Sequence, residues 1–335
     1  MSDTVPPLFS SVQDMLTRRV NALDITSCPR HQREIVLTMC AGYHGSTALE
    51  SILMSSAQLG TLCSADVWQC EGDHVLCNCG CDCTKYTRAT DCQHGWAANA
   101  CLKDETKRDP GWNYSTALHV WSRHWPLHRH VMLEKTPNIW RRVQSMVHGL
   151  QTAPIPPIMA SRGIQRLVPK VLLMWRPWCL AGLSSHARAE QRANYSRWVR
   201  KELVFYNGVF VARHRALTEA RVPVLCVSYA DLLFRSRLTL ARIERFLPCL
   251  GRLDASFVPV MGRDIFPGNE WKVRGSVAQY SAQPAAVAAR SSMSSDGLSC
   301  RDPGGSRDIL SSLTPEEQQA ARASERYLEE CSRTA

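Results

Sequence analysis

The sequence predicts an α/β fold: a doubly wound parallel sheet covered by helices on both faces. Short apolar runs without polar alternation are separated by longer segments with helical spacing. Uninterrupted apolar runs are typical of strands buried on both faces, and right-handed crossovers between them place helices on both sides of the sheet. The 335 residues are 44% hydrophobic, which is enough for one large core or two small ones.

Five segments are predicted strands, and the segments between them are predicted helices. The strands are 33–40, 59–64, 130–135, 170–175 and 222–229. The helices are 46–57, 137–150, 179–190, 192–220 and 231–249. Because ligands of parallel sheets bind beyond the carboxyl ends of the strands, the loops after Cys40, Lys135, Trp175 and Tyr229 are expected to converge.

The chain divides into segments of different composition. The predicted parts are an N-terminal segment 1–30, an α/β domain 31–280 with a Cys-rich insertion 65–115, a small and polar linker 281–312, and a C-terminal helix 313–335. In the last of these, Thr314 is the predicted N-cap, Pro315 the first helical residue, and Glu317 the partner that completes a capping box.

The net charge of +10 favours anionic ligands such as a nucleotide or a sulfated or phosphorylated substrate. The interleaved basic and aromatic residues of a recognisable nucleic-acid-binding module are missing, so nucleic acid is not an expected partner. No stretch approaches the roughly 18 apolar residues that span a bilayer, and the first residues lack the pattern of an export signal. A cytoplasmic chain without integral membrane contact is expected.

The segment TMCAGYHGSTAL (38–49) is the first predicted binding loop. Gly42 and Gly45 suit a tight turn, and Ser46 and Thr47 begin a helix whose free N–H groups and dipole favour a phosphate. A Walker A loop has four residues between its glycines and then Lys-Ser/Thr. Here two residues lie between the glycines and a serine follows directly, which disfavours an ATPase or kinase.

Arg176 and Ser184 form a second predicted anion site. Arg176 follows the strand 170–175, and Ser184 lies eight residues later in a segment predicted to be helical. An arginine and a serine hydroxyl supply the charge and the directed donor that a second phosphate requires.

Together these segments resemble the sulfotransferases that use 3′-phosphoadenosine 5′-phosphosulfate (PAPS). AGYHGSTAL is similar to the family's PRSGSTLL loop, and RPWCLAGLS to its R-x-P followed by a serine eight residues after the arginine. LEKTPN, VSYADLL and GNEWKVRG resemble the K-S/T-P, Y-E-D-L and late basic-loop segments. LCNCG with Cys92 and Trp96 resembles a C-x-C-G…C-x-x-W insert of microbial and algal members. The resemblance spans roughly residues 33–276.

The resemblance implies a P-loop-like sulfotransferase fold with PAPS as the sulfuryl donor. In it, the 5′-phosphosulfate is bound by Gly42, Tyr43, His44, Gly45, Ser46 and Thr47. The 3′-phosphate is bound by Arg176 and Ser184. Further donor contacts are implied for Tyr229, Lys272 and Arg274. The acceptor is a hydroxyl or amine on a small molecule, glycan or peptide.

Two positions depart from the family pattern, which has Arg or Lys at Tyr43 and Ser at His44. Tyr43 offers only a phenol hydrogen bond, and an unperturbed histidine is only partly charged at neutral pH. Lys135 is therefore expected to supply the main positive charge at the sulfuryl group. Asp66 is the first candidate base and His44 the second. The alternative is a non-catalytic relative that binds PAPS or its product without turnover.

The chain has fifteen cysteines, eight of them between Cys63 and Cys101. The spacings Cys77–Cys81 and Cys79–Cys83 suit pairs of zinc ligands, but disulfides or separate thiols are favoured over zinc for this insertion. No metal cofactor is expected, and the oligomeric state is not indicated.

Overall fold

Five parallel strands form one sheet in the part of the chain that the computed structural model describes, namely residues 28–40, 45–62, 72, 114–136, 143–176, 208–257 and 314–334. The strands are β1 (Gln32–Met39), β2 (Leu59–Gly60), β3 (Val131–Glu134), β4 (Arg166–Trp175) and β5 (Val224–Ser228). Their order is β2-β3-β1-β4-β5, and every neighbouring pair is parallel. The predicted α/β class with a parallel sheet is therefore confirmed.

Eight α-helices are described around this sheet. They are α1 (Ser46–Leu53), α2 (Tyr114–His124), α3 (Val143–Thr152), α4 (Pro157–Ala160), α5 (Gly208–Glu219), α6 (Tyr229–Phe234), α7 (Ser236–Phe246) and α8 (Pro315–Thr334). Two short 3₁₀ turns, Pro248–Leu250 and Ala255–Phe257, follow α7. None of the described helices has the length and apolar character needed to cross a membrane.

The sheet is buried on both faces, in two separate cores. Alternate residues of β1 point to opposite sides, so Ile35 and Leu37 face one core while Val36 faces the other. The first core takes side chains from α2, α3, α5 and α8, including Leu118, Met146, Phe210 and Leu328. The second takes side chains from α1, α6 and α7, including Ile52, Leu232 and Ile243. This two-sided burial explains the uninterrupted apolar character of the strands.

Several predicted elements differ in length from those observed. β2 is two residues long, and β4 begins at Arg166 and contains Pro169. Pro169 is tolerated because pairing between β4 and β5 starts only at Val171. The predicted helix 231–249 is interrupted at Arg235, whose φ of −126° and ψ of 37° are not helical, so α6 and α7 are separate. The predicted helix 179–190 lies outside the described residues.

Helix α2 was not predicted, because its first residues were assigned to the Cys-rich insertion. Its Trp121 is fully buried, and Trp125 just beyond its end lies 5.6 Å away between ring centroids. Apart from Gly72 and the first residues of α2, the predicted insertion 65–115 lies outside the described residues, as do the linker 281–312 and most of 1–30. The zinc, disulfide and thiol interpretations of the cysteines in this insertion therefore stay predictions.

Two disulfides connect distant parts of the described chain. Cys28 is bonded to Cys249, and Cys226 in β5 is bonded to Cys331 in α8. They close loops of 221 and 105 residues. Neither pair was predicted, because the paired cysteines are far apart in the chain and lie outside the Cys-rich insertion.

The predicted capping box at the start of α8 is confirmed. The backbone N–H of Glu317 donates to Thr314 Oγ1 over 3.3 Å, and the backbone N–H of Thr314 donates to Glu317 Oε2 over 3.0 Å. Two N–H groups that would otherwise lack an intrahelical acceptor are thereby satisfied.

Replacing Thr314 by alanine should lower the free energy of unfolding by about 1 kcal/mol, because one of these N–H groups loses its acceptor. The measurement is urea denaturation followed by circular dichroism. Ser324→Ala, in the middle of the same helix, is the matched control and should leave stability unchanged or slightly higher. Equal effects of the two substitutions would show that the capping box contributes nothing.

Candidate functional site

Gly45 is the N-cap of α1, the helix that follows β1 in the chain. Its φ of 98° and ψ of 18° are left-handed, and its carbonyl accepts the backbone N–H of Leu49 over 3.1 Å. The first backbone N–H groups of α1, including those of Ser46 and Thr47, therefore lie at this end of the sheet. Their orientation and the helix dipole favour an anion here. The remaining predicted loop residues, Gly42, Tyr43 and His44, lie outside the described residues.

The ring of Tyr229 packs directly against Gly45. A Cβ atom on Gly45 would lie 2.3 Å from Tyr229 Cδ2 and 3.2 Å from Met174 Cε. Glycine is therefore required twice at this position, for its left-handed backbone and for the space occupied by the tyrosine. Tyr229 is held by its own helix start, where Ser228 Oγ accepts the backbone N–H of Asp231 over 3.4 Å.

The guanidinium of Arg176 also contacts the ring of Tyr229. Its guanidinium carbon is 4.7 Å from the centre of the tyrosine ring, and the residue is only 5% exposed. Stacking on an aromatic ring restricts the orientation of the guanidinium group. Ser184, its predicted partner in phosphate binding, lies outside the described residues.

Lys135, directly after β3, forms an ion pair with Glu50 of α1. Its Nζ is 3.4 Å from Glu50 Oε2, and the two side chains are 4% and 7% exposed. In such a dry environment the attraction between opposite charges is strong, so each group fixes the position of the other. Glu50 was missed by the sequence analysis. The available signal was a single acid within the otherwise uncharged helix STALESIL.

A second buried carboxylate, Glu134, lies beside Lys135 at the end of β3. Its Oε1 accepts the backbone N–H of Gly72 over 3.2 Å and also the hydroxyl of Thr136. Trp121 Nε1 donates to the carbonyl of Gly72 over 3.2 Å. A Cβ on Gly72 would lie 2.6 Å from that Oε1. Here the predicted insertion contacts the strand end that precedes Lys135.

The structure thus joins several of the predicted site residues. Gly45, Arg176 and Tyr229 are in mutual contact through the tyrosine ring, and Lys135 is connected to the same helix through Glu50. They follow strands β1, β4, β5 and β3, as expected for loops that converge at the carboxyl ends of a parallel sheet. Asp66, Lys272 and Arg274 lie outside the described residues. The described residues form a site rich in anion-binding groups.

Comparisons with known proteins found a likeness in structure but none in sequence. No family model matches the chain, and no curated protein does. Among solved structures the chain is similar to the sulfotransferase domain from the Synechococcus PCC 7002 olefin synthase, with 12% sequence identity and a TM-score of 0.40. The match covers 90% of this chain and 98% of that one. At this level of similarity, the function has to be inferred from the residues of the site.

Gly45→Ala should lower the free energy of unfolding by about 2–4 kcal/mol. The cost has two parts: alanine is strained in a left-handed backbone conformation, and its Cβ must displace the ring of Tyr229. Gly163 is the matched control because it also has a positive φ, of 75°, but nothing lies within 4 Å of an added Cβ. Gly163→Ala should cost only the backbone strain, about 1–2 kcal/mol. Denaturant unfolding of both variants measures the difference, and equal costs would show that the Tyr229 contact has no energetic weight.

Proposed function

We propose that the chain is a sulfotransferase that transfers a sulfuryl group from PAPS to a hydroxyl or amine. The observation that supports this most directly is that Arg176 and Gly45 both contact the ring of Tyr229. These residues occupy the positions that resemble the family's two phosphate-binding segments. β1 and β4 are adjacent in the sheet, so one nucleotide can reach the groups at both strand ends.

In this proposal the 5′-phosphosulfate lies at the start of α1. The backbone N–H groups from Gly45 to Thr47, together with the loop residues Gly42, Tyr43 and His44, surround it. Arg176 binds the 3′-phosphate with Ser184. Stacking on Tyr229 favours this role, because it restricts the orientation of a guanidinium group that can donate to two phosphate oxygens at once. Lys272 and Arg274 are proposed to supply further positive charge to the nucleotide.

The proposed reaction is an in-line displacement at sulfur. The acceptor oxygen or nitrogen forms a bond to sulfur while the bond from sulfur to the bridging phosphate oxygen breaks. The electron pair stays on the departing adenosine 3′,5′-bisphosphate, and the acceptor proton passes to a base, for which Asp66 and His44 are the candidates. Cationic donors directed at the developing charge lower the barrier.

Lys135 is proposed as the main cationic donor to the sulfuryl group. Its ammonium group is paired with Glu50 of α1, the helix at whose start the 5′-phosphosulfate is proposed to lie. The ion pair restricts the lysine to one orientation, which is favourable for a preorganised donor. No metal is required in this scheme.

The same ion pair supports a second candidate function, a relative that binds the nucleotide without turnover. Glu50 compensates the charge of Lys135, and the loop has Tyr43 and His44 where the family has Arg or Lys and Ser. Such a protein would bind adenosine 3′,5′-bisphosphate tightly but would not transfer sulfate. Calorimetric binding and incubation with ³⁵S-labelled PAPS and a panel of small molecules, glycans and peptides separate the two functions.

Arg176→Ala should weaken binding of adenosine 3′,5′-bisphosphate by about 1.5–3 kcal/mol, the range for a hydrogen bond to a charged group. Arg166 is the matched control, because it is exposed at the start of β4, the strand that Arg176 follows. Arg166→Ala should leave binding unchanged. Isothermal titration calorimetry gives both values. Unchanged affinity of Arg176→Ala would refute the proposed 3′-phosphate contact.

Lys135→Ala should lower kcat by roughly 10²–10³, the scale for the loss of one preorganised donor. The single substitution leaves the Glu50 carboxylate buried without its cation, which lowers stability. The double variant Lys135→Ala/Glu50→Gln removes that charge and should recover stability without recovering kcat. Above pH 7.5, where an unperturbed imidazole is mostly neutral, His44→Ala should cost less than Lys135→Ala.

Rates of ³⁵S transfer across pH, with unfolding measured in parallel, test this assignment. If His44→Ala abolishes turnover while Lys135→Ala leaves it nearly intact, the catalytic charge lies in the loop and not after β3.

A further inference from the structure

A histidine lies against the disulfide that joins β5 to the C-terminal helix. His214 of α5 has its Nε2 3.2 Å from Cys331 Sγ, and its Nδ1 is 2.8 Å from the hydroxyl of Tyr327. The histidine nitrogen and the sulfur atoms of Cys226 and Cys331 all lie within 4.8 Å of one another. The imidazole is therefore close enough to exchange a proton with either sulfur after a small movement.

Two properties make this imidazole a suitable proton acceptor for a thiol. Burial lowers the pKa of His214 below its ordinary value, so the ring is neutral at pH 7 and can take up a proton. The ring orientation is set by the hydrogen bond and the edge-on contact with Tyr327, whose ring centroid is 5.6 Å away. The guanidinium of Arg215 stacks on that same tyrosine, 4.9 Å from the ring centre, and so fixes the tyrosine in turn.

The two sulfur atoms differ in accessibility. Cys226 is fully buried in β5, whereas Cys331, near the end of α8, is half-buried. A thiol or disulfide from solvent therefore reaches Cys331 first. In the disulfide between Cys28 and Cys249 both cysteines are buried. That bond is therefore an internal control for the reactivity of Cys226–Cys331.

The bond also lies next to the proposed nucleotide site. Cys226 is three residues before Tyr229 in the chain, and the neighbouring residue of α8, Ser332, accepts a hydrogen bond from Trp175 Nε1 over 2.6 Å. Trp175 directly precedes Arg176. The last turns of α8 thus contact the end of β4 through Trp175 and the middle of β5 through Cys226, and these two strands precede the stacked pair Arg176 and Tyr229.

We propose that Cys226 and Cys331 form a reversible thiol–disulfide exchange site, in which Cys331 is the reacting sulfur and His214 the general base, and that its redox state controls nucleotide binding. The control of binding rests on the proposed function, whereas the exchange chemistry stands independently of it. The reactant is a small thiol or its disulfide.

Closure of the bond proceeds in two balanced steps. The Cys331 thiol gives its proton to His214 Nε2, and the thiolate attacks one sulfur of a small disulfide, RSSR. A mixed disulfide forms on Cys331, and the released thiolate takes the proton and leaves as RSH. Cys226, deprotonated in the same way, then attacks Cys331 Sγ and releases the second RSH. Two protein thiols are oxidised and one RSSR is reduced to two RSH; opening is the reverse.

The effect on the site follows from what the bond holds in place. With the bond open, α8 remains attached by packing and by the hydrogen bond from Trp175 to Ser332. The carboxyl ends of β4 and β5 then lose one restraint on the relative position of Arg176 and Tyr229. Nucleotide affinity should fall by about tenfold, within the usual range of coupling between sites.

The first experiment measures exchange in the full-length chain. The oxidised protein is incubated with glutathione, the thiols are trapped by alkylation at intervals, and mass spectrometry quantifies each cysteine. Cys226–Cys331 should open and reclose at least about tenfold faster than Cys28–Cys249, given the dependence of exchange on access. His214→Asn should slow reclosure of Cys226–Cys331 about 10²-fold, a typical loss for a general base, and leave the other pair unchanged.

Two results would overturn the exchange site. Equal rates for the two disulfides with no effect of His214→Asn would show a purely structural bond. Uptake of one equivalent of zinc by the reduced protein, abolished by Cys331→Ala but kept by Cys28→Ala, would show that the cluster is a metal site.

The second experiment measures binding of adenosine 3′,5′-bisphosphate by calorimetry. The oxidised chain should bind about tenfold more tightly than the reduced chain or Cys226→Ala/Cys331→Ala. Cys28→Ala/Cys249→Ala, the matched control, should bind like the oxidised parent. Equal affinities in both redox states would refute the coupling. If the oxidised parent does not bind the nucleotide at all, the proposed function and the coupling both fail, while the exchange rates still decide the chemistry.

Discussion

The ring of Tyr229 is the contact on which the geometry of the site depends. It contacts both Gly45, the N-cap of α1, and the guanidinium of Arg176, and so links segments that follow three adjacent strands. Neither neighbour can be exchanged freely, because Gly45 has no room for a side chain and Arg176 is buried. A single apolar surface thus places a helix N-terminus and a cation a fixed distance apart, which is what recognition of one ligand with two anionic groups requires.

The pair of Lys135 and Glu50 adds a different constraint. Transferring both charges out of water costs several kcal/mol each, and their attraction offsets this only when the geometry is good. An apolar pair of similar size would often stabilise the fold at least as well. The ion pair at the carboxyl end of β3 is therefore weak evidence for stability and is consistent with the ligand-binding role proposed for Lys135. The compensating acid also tunes how much positive charge a bound anion meets.

Local signals in the sequence predicted the strands and the capping box of α8, because uninterrupted apolar runs and the order Thr-Pro-x-Glu determine structure over a few residues. They also predicted that Gly45, Arg176 and Tyr229 come together, since strand ends of a parallel sheet meet. The break at Arg235, the burial of Glu50 and the pairing of Cys226 with Cys331 depend on residues distant in the chain. No local pattern encodes such tertiary contacts, so these features required the structure.

The C-terminal helix α8 contacts two of the strands that precede site residues, β4 and β5. A helix that only covered the sheet would need an apolar face, and α8 has one, with Leu328 fully buried. Its last turns contribute more specific contacts, a hydrogen bond to Trp175 and a covalent bond to Cys226, each next to the end of a strand that carries a site residue. Because both contacts lie on the face of the sheet opposite α1, the site is held from both sides: Tyr229 packs against α1 on one, and α8 fixes the strands on the other. In the proposed coupling, a change at either face therefore alters the position of Arg176.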